Sequence, residues 1–122
     1  MKLLHQLARI EHTDHSGERP SAILRFDLGH RIMRAHFKGH PVVPASCLMQ
    51  LTDELTCHLT GMSLRVVSVD NDKFSHPITT DSAIGFTITS LTPSADGCVV
   101  RATFTQGDTL CATLQHTYTI VS

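Results

Sequence analysis

Between Pro44 and Gly61 the leucines Leu48, Leu51, Leu55 and Leu59 recur at steps of three and four residues, and nothing later in the chain repeats that period. One apolar stripe of this kind predicts one amphipathic helix, opened by a proline suited to the first helical turn and closed by a glycine suited to the C′ stop. After Gly61 the pattern changes to β-branched, largely alternating runs over 64–69, 84–89, 99–105 and 109–121, separated by Pro77, Asp81 and two stretches rich in turn residues, 93–97 and 106–108. One long helix with four or more strands after it predicts an α+β domain, in which an antiparallel sheet buries its apolar face against that helix.

The rest of the chain fits around this unit. Residues 3–12 suit either a strand or a short helix, 14–20 form a turn-rich loop, and 22–28 alternate as a strand before Gly29 and His30 lead into a loop over 36–44. In the last run Leu110, Ala112, Leu114, His116, Tyr118 and Ile120 share one face, with Thr113, Gln115, Thr117 and Thr119 on the other. On the helix, Cys47, Gln50, Glu54 and His58 make a second, more polar side, expected to meet something other than the main core.

Composition narrows the function. A chain of 122 residues, 41% apolar and 17% charged, is read as a single globular domain spanning 1–122. A formal charge of −1, with no run of lysine or arginine, gives no footprint for a phosphate backbone, and the lack of Trp with a single Tyr argues against a base-stacking platform, so no nucleic-acid partner is expected. No apolar run is long enough to span a bilayer, and His5, Gln6 and Arg9 break up the start of the chain too early for a secretion signal, which predicts a soluble cytoplasmic protein. Cys47, Cys57, Cys98 and Cys111 lack paired spacing and read as reduced thiols; His36 and His40 have the spacing of a helical metal pair, but Gly39 and Pro41 make the segment between them a loop, so no metal site is expected.

The segment 36–50 carries the functional signal. His36, Phe37, Gly39, Pro41 and Pro44 match the pattern His-Phe-x-Gly-x-Pro-x-x-Pro-Gly, with Ala45 in place of the final glycine, and Lys73, Phe74, Pro77 and Ile78 resemble the stretch Lys-Phe-x-x-Pro-Val that lies on the strand after the helix. Together with the element order over about 22–121, this resembles the hot-dog fold and, within it, the 3-hydroxyacyl-[acyl-carrier-protein] dehydratases. The resemblance implies an antiparallel sheet wrapped around one long central helix, and a site built by two subunits. His36 would be the general base that removes the α-proton of a 3-hydroxyacyl thioester. A Glu or Asp fourteen residues later, on the partner's helix, would handle the departing hydroxyl, and here that position is Gln50.

The residue chemistry suits such a reaction in part. Histidine is the side chain whose unperturbed pKa lies near the working range of a base, and helix-start amides, here around Gly39 and from Ala45 to Ser46, are candidates to hold the enolate-like oxygen. Phe37, Gly39, His40, Pro44, Ala45 and Ser46 are the expected substrate-contacting residues, with His40 at the entrance. Gln50 hydrogen-bonds but neither gives nor takes a proton. Three outcomes follow: His36 works alone; Asp53 or, by its helical face, Glu54 stands in for the missing acid; or the domain binds acyl chains without turning them over. Catalytic roles are therefore expected at His36, Gln50 and Glu54.

The leading expectation is dehydration to a trans-2-enoyl thioester in fatty-acid, lipid or polyene biosynthesis, with no metal or organic cofactor. The alternatives are a non-catalytic acyl-binding subunit paired with an active one, and a hot-dog acyl thioesterase, although thioesterases generally lack this histidine loop. The resemblance implies acyl carrier protein or an acyl thioester as partner, with Arg31, Arg34 and Lys38 as candidate contacts. A single sheet around one helix leaves an edge strand and the polar helix side uncovered, so a homodimer or a larger assembly of dimers is expected, with a second hot-dog subunit as a further partner.

Overall fold

A computed structural model of the chain describes residues 1–15, 17–35, 41–79 and 81–121. The elements run β1 (Ala8–Asp14), β2 (Ser21–Phe26), α1 (Arg31–Ala35), α2 (Ala45–Thr60), β3 (Leu64–Val69), β4 (Lys73–Phe74), β5 (Ile84–Pro93), β6 (Gly97–Gln106) and β7 (Thr109–Ile120). All strand pairs are antiparallel, and the sheet has the order β1-β2-β5-β6-β7-β3, with the short β4 also paired to β7. This is the hot-dog architecture expected from the sequence: α2 is the long helix, and the sheet wraps it.

The helix forms where the leucine period places it, because its signals agree. Pro44 takes the N-cap position at φ −61° and ψ 144°, and Gly61 closes the helix in the left-handed region at φ 71°, its N–H bonded to the Cys57 carbonyl at 3.0 Å. Leu48, Leu51, Leu55 and Leu59 are all buried. They share one core with the inward residues of the central strands, Ile84, Phe86 and Ile88 on β5, Val100, Ala102 and Phe104 on β6, and Ala112 and Leu114 on β7. The rings of Phe86 and Phe104, opposite each other in register, pack with centroids 5.0 Å apart. Thr52 and Thr56 lie among these leucines, each returning its hydroxyl to the carbonyl four residues back, at 2.8 and 2.7 Å, so neither buried hydroxyl is left unpaired.

Three features depart from the pattern reading. The first residues form a turn and then β1 rather than one continuous element: the Leu7 and Ala8 amides bond to the Leu3 carbonyl, and His5 sits at φ 69°. Leu3, Leu4 and Leu7 turn inward and are buried. A short α1 precedes the histidine loop, where the sequence suggested only a lead-in; one turn of helix is too brief to generate a period. On β7 the inward face holds from Ala112 to Tyr118, but Leu110 and Ile120 at its ends are 46% and 53% exposed.

The sheet's two sides end differently. β1, at one edge, carries Arg9 and Glu11, and Glu11 also takes the Arg25 guanidinium at 2.8 Å. At the other edge β3 is exposed along most of its length, with Val66, Val67 and Val69 facing outward and Phe74 of β4 beside them. An apolar, unpaired edge of this kind invites a further strand. Among the described residues, no helix is long and apolar enough to cross a membrane.

Candidate functional site

The sequence points to the junction of the histidine loop and α2. His36, Phe37, Gly39 and His40 lie outside the described residues, as does Lys38. From Pro41 the chain runs onto the body of the fold, where the Val43 amide bonds to the Ile78 carbonyl at 2.9 Å, joining the end of the loop to the segment after β4. The Pro44 carbonyl then accepts the Cys47 and Leu48 amides at 3.0 and 3.2 Å, which starts the helix. Ala45 and Ser46 are exposed at this first turn, where backbone N–H groups point out of the helix end and favour negative charge. The neighbouring Cys47 thiol is pushed up by burial, against a weaker opposing hydrogen bond from Ser46, so it is a protonated core group and not a nucleophile.

One helical turn on, Gln50 and Glu54 meet the start of the chain. The Leu3 amide donates to both Glu54 carboxylate oxygens, at 3.1 and 3.0 Å, and the Leu4 amide donates to one of them at 2.9 Å. Gln50 Nε2 donates to Glu54 Oε2 at 2.9 Å and to the Met1 carbonyl. Of the polar helix side predicted to face something other than the core, Gln50 and Glu54 face residues 1–4 of the same chain, whereas Cys47 is buried in the core and His58 is exposed. The structure brings Gln50 and Glu54 together, and fastens both to main-chain groups.

The other carboxylate of this helix, Asp53, points toward β7. Its Oδ1 accepts the Tyr118 hydroxyl at 2.7 Å and lies 2.8 Å from His116 Nδ1, while His116 Nε2 lies 2.7 Å from Asp72 Oδ2, in the turn between β3 and β4. The His116 side chain is fully buried, Asp72 is 6% exposed and Asp53 is 31% exposed. Burial alone pulls the His116 pKa down, but hydrogen bonds and charge from both aspartates outweigh it and hold it above its ordinary value. With carboxylate oxygens against both nitrogens, the ring carries both protons. Burial, reinforced by Asp53, also raises the Tyr118 phenol, which stays protonated.

Pattern reading placed His116 among the inward residues of β7 without finding its partners. The signal was a histidine set between Leu114 and Tyr118 on an apolar face; the aspartates lie 44 and 63 residues away in sequence, beyond any local period. Asp53 and Cys57, with Glu54, Lys2, His5 and His58, line an open cleft of about 580 Å³ beside α2. His58 is exposed at this cleft. Among the described residues no group of three or more His, Cys, Asp or Glu is arranged to hold a metal ion.

Comparisons with known proteins agree with this architecture. The chain resembles a subunit of the dehydratase heterocomplex ApeI:P from Xenorhabdus doucetiae at a TM-score of 0.71 and 16% identity, over 91% of this chain and 96% of that one. It also resembles a hypothetical thioesterase with coenzyme A from Streptococcus pneumoniae, at a TM-score of 0.69 and 10% identity, over 94% of this chain and 86% of that one. At these identities the likenesses establish the fold. A comparison with curated proteins finds no match. Residues 12–113 match the family model described as ApeI-like, ApeI dehydratase, which takes in the histidine loop, α2 and the strands up to the middle of β7, and the chain belongs to the ApeI-like dehydratase family.

Proposed function

We propose that the protein dehydrates a 3-hydroxyacyl thioester, carried on acyl carrier protein, to the trans-2-enoyl thioester and water in the cytoplasm, with His36 as the general base. The observation that carries this reading is membership of the ApeI-like dehydratase family together with the exposed first turn of α2, which follows the motif segment in sequence and whose Ala45 and Ser46 amides are candidates to hold a developing oxyanion. Phe37, Gly39, His40 and Pro44 form the substrate-contacting loop, and Gln50 steadies the departing hydroxyl by hydrogen bonding. No cofactor takes part. The exposed β3 edge with Val66, Val67 and Val69 supports pairing of two subunits, at minimum a homodimer.

A second reading is favoured by the tethering of Gln50 and Glu54 to residues 1–4. Where neither is free to move a proton, the acid is supplied by a different hot-dog chain paired with this one. The test is turnover of 3-hydroxyacyl thioesters, followed by enoyl absorbance, for wild type, His36→Ala and Gln50→Glu. Wild-type turnover abolished by His36→Ala supports the catalytic reading. An inert wild type whose Gln50→Glu variant is active overturns it, and activity gained only on mixing with a second hot-dog chain supports the paired form.

A further inference from the structure

The cluster around His116 is built to hold one carboxylate more firmly than the other. Asp72 is nearly out of water, and its two oxygens are both committed: Oδ2 to His116 Nε2 at 2.7 Å and Oδ1 to the Gln115 amide at 3.0 Å, where the side chain stands in for a main-chain acceptor beside β7. Asp53 is 31% exposed at the cleft and has only side-chain donors, His116 and Tyr118, for its Oδ1. A neutral imidazole has one N–H. On losing a proton the ring has to give up one of its two carboxylates, and the desolvated one costs more to leave unpaired. The proton therefore stays on Nε2, and Asp53 is the partner that separates and is hydrated.

A substitute donor for the vacated nitrogen is already in place. The Tyr118 hydroxyl lies 3.4 Å from His116 Nδ1 while bonded to Asp53 Oδ1. A rotation of that hydroxyl hydrogen caps Nδ1 and removes the last donor from Asp53 in the same movement. The surrounding charged and titratable groups are Asp53 and Cys57 on α2, Tyr118 on β7, Asp72 with the more distant Asp70 in the β3–β4 turn, and Cys98 on β6 opposite Tyr118. None of these groups around the ring is a cation, so no fixed positive charge takes over at β7 when the ring becomes neutral; the cleft that receives Asp53 is lined also by Lys2, His5, Glu54 and His58.

We infer that His116 is a latch on Asp53: the doubly protonated ring holds the carboxylate against β7, and loss of the Nδ1 proton to solvent releases it into the cleft beside α2. Of the two carboxylates of α2, Glu54 is bonded to the Leu3 and Leu4 amides, so released Asp53 becomes the one not held by main-chain groups and the one open to proton transfer with a bound substrate. That last step rests on the dehydratase reading above; the latch itself does not.

The experiment is ¹⁵N and ¹³C NMR of the histidine rings and aspartate carboxyls in the full chain across alkaline pH, for wild type, Asp53→Asn and Tyr118→Phe, with the pH–rate profile of 3-hydroxyacyl thioester turnover recorded in parallel. The expected result is a His116 midpoint above the ordinary histidine value, loss of the Nδ1 proton with retention of the Nε2 proton, a change at the Asp53 carboxyl with the same midpoint, and a lower midpoint in Asp53→Asn. A midpoint at or below the ordinary value, deprotonation at Nε2, or an Asp53→Asn midpoint equal to wild type overturns the latch. With the NMR result as expected, an Asp53→Asn profile that keeps the wild-type rate and shape overturns the catalytic use of the released carboxylate. A wild type inert both alone and mixed with a second hot-dog chain, with the expected NMR result, overturns the dehydratase reading and supports the latch.

Discussion

Glu54→Ala separates anchoring from chemistry at the helix carboxylate that sequence reasoning ranked first. The carboxylate accepts the Leu3 and Leu4 amides, and both residues are buried, at 2% and 9% exposure. A hydrogen bond to a charged acceptor contributes about 1.5–3 kcal/mol, and because these bonds are only part-buried the lower end applies to each, giving about 3 kcal/mol for the pair. For a chain of this size that corresponds to a fall in Tm on the order of 10 °C. Urea and thermal unfolding measure it, with turnover assayed well below the transition. The expected variant is clearly less stable, retains most of its rate, and loses amide-exchange protection in residues 1–7. A Glu54→Ala protein with wild-type stability and a rate lowered by about 10²–10⁴ refutes the anchoring argument, since that is the loss expected for a general acid or base.

Other substitutions probe the frame around the site. Leu55→Ala, at a fully buried helix position, is expected to cost about 2–5 kcal/mol in urea unfolding. A Cβ at Gly97 falls 1.8 Å from the Tyr118 carbonyl oxygen, a backbone atom unable to yield cheaply, so Gly97→Ala is expected to lower stability by about 3 kcal/mol or more. Stability should decline above about pH 10, in part because the Tyr118 phenol keeps its proton when folded and releases it when unfolded; the decline is expected to be shallower in Tyr118→Phe, where the buried thiols alone contribute it. Under native alkylation read by mass spectrometry, Cys57 should label ahead of Cys47, Cys98 and Cys111, which are buried with raised thiol pKa values; equal labelling of all four contradicts the packing.

The fold was legible wherever a local period governs it. The stripe Leu48, Leu51, Leu55 and Leu59 announces α2, the pair Pro44 and Gly61 brackets it, and alternation finds β5 to β7. Order within the sheet is a different matter: β2 pairs with β5, and β3 with β7, through contacts that no window of residues contains. The site divides in the same way. The spacing from His36 to Gln50 is written along the chain, whereas the grip of Leu3 and Leu4 on Glu54, and of Asp53 and Asp72 on His116, exists only after distant segments meet. The structure thus supplies what the motif omits, a reason for each carboxylate of α2 to be where it is.

The fastening of residues 1–4 to α2 also bears on how the polypeptide is made. Leu3 leaves the ribosome some 51 residues before the Glu54 that will hold it, and β3 waits about as long for its neighbour β7. During that interval Leu3, Leu4 and Leu7, buried in the finished fold, travel uncovered. Slow translation or starvation of the nascent chain between these points therefore lengthens its exposure to chaperones and to aggregation, the cost of closing a core with segments far apart in sequence.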